Sequence, residues 1–503
     1  MAEDAAAKKP GKKGSSGKKP AAAPAERVRV RHYCQGIGDC HLLGFPKANG
    51  EGTFWMLIDC GVHRGVAGGS DKMEKVLANI REITEHLDVV VVTHEHMDHV
   101  SAFPDGAKRF ETVDNVWMAW TENPEDLQAR QLDKFKGSAV DALEMAGKQL
   151  KAVDNLSPHL ASLSAGLDAV AGFHFGLKGE HVRDARDAVF DLAKKNSPKV
   201  RYLEPTDQPI TIDELPDLRI YVLGPPRDAK FLGITERKSE MFGAAAAIGW
   251  PIAQALSSAF QLATRLPEEE EEGQKQMPFE PNVGTDLRTL SPVASTADED
   301  EISAFACDKY LGRPGKDDEA WRRIDHDWLG VSADLAMQLD SKTNNTSLVL
   351  AFEFVDTRRV LLFAADAQVG SWLSWHDLKW KVGDETVTGP DLLARTVYYK
   401  VSHHGSDNAT LRQKGLDMMT HADLSAFIPT NQEDAGNIGW DAMPFDLIVQ
   451  ALAKRCRDRV IRADAPWLKG GASAPNFVAL GGSIAGFDHD KENGGLWVEL
   501  QLA

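Results

Sequence analysis

His94-Glu95-His96-Met97-Asp98-His99 follows directly on the apolar run Leu87 to Val92 and packs three imidazoles and a carboxylate at Asp98 into six residues. His94 and His96 are two apart, so on an extended segment they point the same way. Asp98 and His99 come just after, where the chain can turn and aim them at a second ion. One loop can therefore serve two metals, and its place after an apolar strand puts it at a strand end.

Outward from this loop the chain reads as short strands punctuated by glycine: Val28 to Tyr33, Cys40 to Gly44, Phe54 to Ile58, Val89 to Val92 and Val116 to Trp120. Between Asp71 and His86, apolar Met73, Val76, Leu77, Ile80 and Ile83 recur every three or four residues, which predicts an amphipathic helix leading into the strand before the cluster. Strand text resumes at Leu218 to Leu223, Ser347 to Phe354, Arg359 to Ala364 and Thr396 to Val401, and again at Arg459 to Ala463 and Leu496 to Leu502. The domain reading is a Lys-rich disordered tail over 1–26, a core half over 27–123, a helical insertion over 124–214, a core strand over 215–227, a second and partly disordered insertion over 228–339, and a core half over 340–503.

The 503 residues are 43% hydrophobic and 26% charged, which suits a large α/β domain with insertions. No apolar run approaches the roughly 20 residues that span a bilayer, and the first residues lack the apolar centre of a signal peptide, so a cytoplasmic protein without membrane association is expected. Five cysteines without a Cys-x-x-Cys pair predict reduced thiols and leave metal chemistry to His and Asp. A formal charge of −18 argues against broad attraction to nucleic acid, although a local basic groove is compatible with it.

Two later segments complete the constellation. The strand Val360 to Phe363 runs into Asp366, and the strand Val397 to Val401 runs into Ser402-His403-His404-Gly405-Ser406. His94, His96, Asp98, His99, Asp366 and one of the His pair form a mixed nitrogen and oxygen set suited to two divalent ions, zinc first, with manganese and iron as alternatives.

Together with Gly36-Ile37-Gly38-Asp39-Cys40, Leu57-Ile58-Asp59-Cys60-Gly61, Val222-Leu223-Gly224-Pro225 and Asn345-Thr346-Ser347, these segments resemble the metallo-β-lactamase fold superfamily. The resemblance is to the branch with the metallo-β-lactamase domain of the competence DNA-uptake channel protein and the phosphorylcholine esterases. It implies an αββα sandwich with helical insertions and a dinuclear hydrolase acting through a metal-bound hydroxide. It also implies Asp366 as the bridge, Asp98 on the second metal and at the reacting centre, and Asp59 orienting the cluster from behind. His404 is the implied ligand of the pair, with His403 left to donate a proton to a leaving group.

One departure concerns the first metal, because many superfamily members carry a third His where this chain has Asn344-Asn345. Asn345 is therefore expected beside a more open first metal. His63 and Arg64, on the Gly-rich loop after Gly61, are candidates to contact an anionic substrate. Among the other imidazoles, His326 is singled out for proximity to the site. Phosphodiester substrates, nucleic acid or nucleotide, are the leading expectation; an acyl, thioester or lactone substrate and a regulatory binding module with a degenerate site are the alternatives. The insertions could hold a protein partner, and oligomeric state is left open.

Overall fold

The computed structural model describes residues 27–106, 110, 112–151, 161, 164–168, 174, 182–195, 199–234, 237, 239–241, 301–311, 339 and 342–503. The basic tail, most of the second insertion and His326 lie outside the described residues.

Strands β1 (Val28–Tyr33), β2 (Cys40–Pro46), β3 (Thr53–Cys60), β4 (His86–Val92), β5 (Thr112–Ala119) and β6 (Lys199–Leu203) follow one another as neighbours in one sheet. Next along the chain come β7 (Ile210–Ile212), β8 (Leu215–Gly224), β9 (Val349–Phe354), β10 (Val360–Phe363), β11 (Lys379–Val382), β12 (Glu385–Thr388), β13 (Thr396–Lys400), β14 (Ser425–Ile428) and β15 (Val460–Arg462). Finally β16 (Ile484–His489) and β17 (Trp497–Leu502) return to the first sheet, whose order is β16-β17-β1-β2-β3-β4-β5-β6; the second sheet runs β15-β14-β13-β10-β9-β8-β7.

Alternation along each strand explains why the sheets stack. Met56 and Ile58 of β3 and Val89 and Val91 of β4 face Leu350 and Phe352 of β9 and Phe363 of β10 in the inner core, while Leu57, Val90 and Val92 face outward. The outward face is covered by α1 (Gly69–Ile83), which buries Met73, Val76, Leu77 and Ile80 on one stripe, each contributing about 1.5–3 kcal/mol. Trp372, Trp375, Leu392 and Ile448 cover the second sheet in the same way. The result is helix, sheet, sheet, helix, the expected αββα sandwich.

Some elements differ from expectation. Residues 199–212, assigned to the insertion, form β6 and β7, and β6 pairs with β5 in the first sheet. The charged and polar residues of Lys-Val-Arg-Tyr-Leu hide an edge strand that needs only one buried face. The helical insertion itself appears as α2 (Leu127–Lys151) and α3 (Val182–Lys195). Among the described residues no helix is long and apolar enough to cross a membrane.

Candidate metal centre

The loops after β3 and β4 in one sheet and after β10 and β13 in the other reach the same rim, because each pair is parallel and ends together. Asp59 closes β3. Its carboxylate accepts from the backbone N and the hydroxyl of Thr93 at 2.8 and 2.7 Å, and its Oδ2 lies 2.8 Å from Nδ1 of His99. That grip turns Nε2 of His99 to Asp366, 3.2 Å from Oδ2. Nε2 of His404 lies 2.8 Å from Oδ2 of Asp98 and 3.2 Å from Oδ2 of Asp366. Asp98, His99, Asp366 and His404 thus offer ligand atoms that all lie within 4.8 Å of one another, and all four are buried. Beside them, Nε2 of His94 meets Nδ1 of His96 at 3.1 Å.

The backbone here is held in conformations that cost energy. Asp59, Ala365, His403 and His404 have φ of 56°, 45°, 40° and 52°, left-handed values that cost non-glycine residues on the order of 1–3 kcal/mol each. The surroundings enforce them: His403 N donates to Ala365 O at 3.1 Å, and the Thr430 hydroxyl donates to His404 O at 2.6 Å. Gly38 and Gly61 let the chain press on the metal loop; a Cβ at either would stand 2.5 Å from the Asp98 carbonyl oxygen.

Burial and charge sort the imidazoles into two kinds. Burial, reinforced by neighbouring imidazoles, holds His94 and His96 well below their ordinary values, so they stay neutral and can offer lone pairs. Burial opposes the charged forms of His99 and His404 too, but Asp366 and Asp98 outweigh it, raising His99 and carrying His404 to about 10. Burial likewise works against ionised Asp366 and Asp98, and the facing imidazoles win, holding both carboxylates below their ordinary range. Two imidazolium protons therefore sit where two carboxylates call for positive charge. The two nitrogens, the two carboxylates and the neutral His94 and His96 beside them fit divalent ions such as zinc, manganese or iron.

His404, rather than His403, belongs to this group. Both ring nitrogens of His403 meet protein partners: Nε2 lies 3.0 Å from Nδ2 of Asn344, and Nδ1 lies 2.6 Å from the Ser406 hydroxyl. Burial takes it down to about 4, so it is neutral at neutral pH and unsuited to giving up a proton there. The Ser406 hydroxyl thus serves the loop. Asn345 does not face the site as expected. Its amide donates to Ile234 O and accepts from Ser371 N, while its neighbour Asn344 occupies the position beside His403. His63 and Arg64 also turn elsewhere: His63 packs on Trp440 and accepts from Gly65 N, and Arg64 donates to Asp168 O at 2.9 Å.

Three contributors escaped sequence reading. Lys400, ion-paired with buried Asp39, stands 3.9 Å from Oδ1 of Asp366, and both residues lie in quoted motifs whose charge complementarity was the available signal. Lys136 of α2 reaches Oε1 of Glu95 inside the metal loop at 2.9 Å. The buried His174 ring stands 5.2 Å, centre to centre, from that of His96. No spacing rule in the sequence links His174 to the loop.

Residues 36–143 match the model of the metallo-beta-lactamase superfamily, a stretch that carries Asp39, Asp59 and the whole His94 to His99 loop. Over 50 residues the chain is 46% identical to the transcription termination factor FttA of Methanothermobacter thermautotrophicus, an alignment covering 10% of this chain and 8% of that protein.

Proposed function

We propose, from the premise that residues 36–143 belong to the metallo-beta-lactamase superfamily and sit in its layered α/β fold, that the protein is a metal-dependent hydrolase of phosphodiester bonds in nucleic acid or a nucleotide. The observation that carries this is the convergence of Asp98, His99, Asp366 and His404 within 4.8 Å at a rim shared by both sheets, with His94 and His96 adjoining. His94, His96 and Asp366 would hold one ion, and Asp98, His99, His404 and Asp366 the other. Divalent ions held by these residues would supply a bound water of pKa about 7 and a charge to polarise the phosphoryl oxygen.

The chain's own residues do the positioning. The Asp366 carboxylate stands 3.2 Å from Nε2 of both His99 and His404 and would be the residue shared by the two ions. Asp59 fixes the tautomer and direction of His99, as an acceptor behind a ligating imidazole does. Lys400 and Asp39 set a paired charge behind Asp366. His403, Asn344 and Ser406 hold the loop that presents His404 in its left-handed conformation.

The phosphodiester reading is supported by the sequence resemblance and by the likeness of a 50-residue stretch to a transcription termination factor. The test is a panel of bis-p-nitrophenyl phosphate, single-stranded DNA and a thioester, run with the metal-loaded protein and Asp366→Ala. Phosphodiester cleavage lost in the variant is the expected result. Thioester turnover alone, also lost in the variant, would move the assignment to acyl hydrolysis. Fewer than about one equivalent of bound transition metal would remove the hydrolase reading altogether.

A further inference from the structure

We propose that His174, carried by the inserted segment between α2 and α3, is the third imidazole of the metal position formed by His94 and His96; this rests on the metal centre proposed above. Among the described residues the core supplies two imidazoles at that position. At the segment where the resemblance places another His, Asn344 turns to His403 and Asn345 to Ile234 and Ser371. Ser347 reaches His94 through its hydroxyl, 3.4 Å from Nδ1, the nitrogen on the far side of the ring from His96.

His174 comes from the inserted segment. Its ring centre is 5.2 Å from that of His96 and turned by 82°; the His94 and His96 rings are 4.8 Å apart and turned by 70°. Imidazoles sharing one tetrahedral ion, with metal–nitrogen bonds of about 2.0–2.1 Å, have ring centres roughly 5 Å apart, so both separations suit a common ion. His174 is only 2% exposed, so its ring is enclosed with the other two.

The insertion is also tied to the rim through Lys136 and Asp168. Lys136 binds Glu95 at 2.9 Å, between the two ligand imidazoles in sequence, and lies 3.4 Å from the Thr346 hydroxyl. Arg64 donates to Asp168 O, and Lys151 pairs with the Asp168 carboxylate at 2.7 Å. An insertion pinned at these points holds a ligand in place, so that the first metal position is completed from outside the core fold.

Cobalt titration of the full chain tests this, with wild type, His174→Ala and His174→Cys compared by bound equivalents and visible absorption. Wild type should bind two equivalents. His174→Ala should keep the site of Asp98, His99 and His404 and bind the other ion at least about 10–100-fold more weakly, the loss that removing even an outer-sphere partner brings. His174→Cys should restore binding and add a thiolate-to-cobalt charge-transfer band, which a merely structural role would not produce. Two equivalents bound by His174→Ala within threefold of wild-type affinity, or no such band in a His174→Cys protein that holds cobalt, would overturn the assignment. Wild type that binds no cobalt would instead overturn the metal centre itself.

Discussion

At the scale of single residues, the centre is a set of opposed charges buried almost completely, and pH should report on it. In ion-free protein, burial opposes protonated His404, but Asp366 and Asp98 outweigh it and raise it to about 10, above an unfolded value of about 6.5. Its stabilising contribution is then fully present below about pH 6.5 and is lost as pH rises toward 10. His94 and His96 act in the other sense: burial lowers them, so the unfolded chain takes up their protons first and stability falls as pH drops below about 6.5. Urea midpoints of chelated protein should peak near pH 6.5 and decline toward 9.5. Saturating zinc should flatten the alkaline limb, since coordination already requires His99 and His404 to be deprotonated. A chelated protein with the same midpoint from pH 6.5 to 9.5 would show that these imidazoles carry no such protons.

At the scale of elements, the metal loop depends on how closely β3 runs beneath it. Gly61 has no room for a side chain: a Cβ would lie 2.5 Å from the Asp98 carbonyl carbon and oxygen and 2.6 Å from His99 N, all backbone atoms that cannot swing aside. Gly61→Ala should therefore push Asp98 and His99 together and weaken metal binding by at least about tenfold, the range seen when a ligand's support is removed. Gly147→Ala is the control. It lies within α2 with open space around it, and should leave metal binding unchanged while adding up to roughly 0.8–1.0 kcal/mol of helix preference. Isothermal titration with zinc reads both, and equal affinities for wild type and Gly61→Ala would mean that the loop does not rest on β3.

At the scale of the whole molecule, the two sheets bury their inner faces against each other. Met56, Ile58, Val89, Val91 and Trp117 of the segment that matches the superfamily model face Leu350, Phe352, Phe363 and Phe427, which enter the chain more than 200 residues later. A fragment of residues 36–143 would expose that face and lack Asp366 and His404. It should show no cooperative urea transition and no tight zinc binding; a sigmoidal unfolding curve from the fragment would refute the interdependence of the sheets. The sequence by itself determined the elements whose pattern is local: the β1 to β4 run, the stripe of α1, and the His94 to His99 loop, because two-residue and three-to-four-residue periodicities and ligand spacing act over short distances. It did not reveal β6, whose polar text needs only one buried face, or β14, four buried residues without alternation. Tertiary structure brings His404, the member of the pair that the resemblance implied, up to Asp98 and Asp366, and it alone decided that Asn344 rather than Asn345 stands beside the rim and that Lys136 and His174 arrive from the insertion. Those choices depend on strained backbone at four residues and on contacts between segments far apart in sequence, which no local pattern encodes.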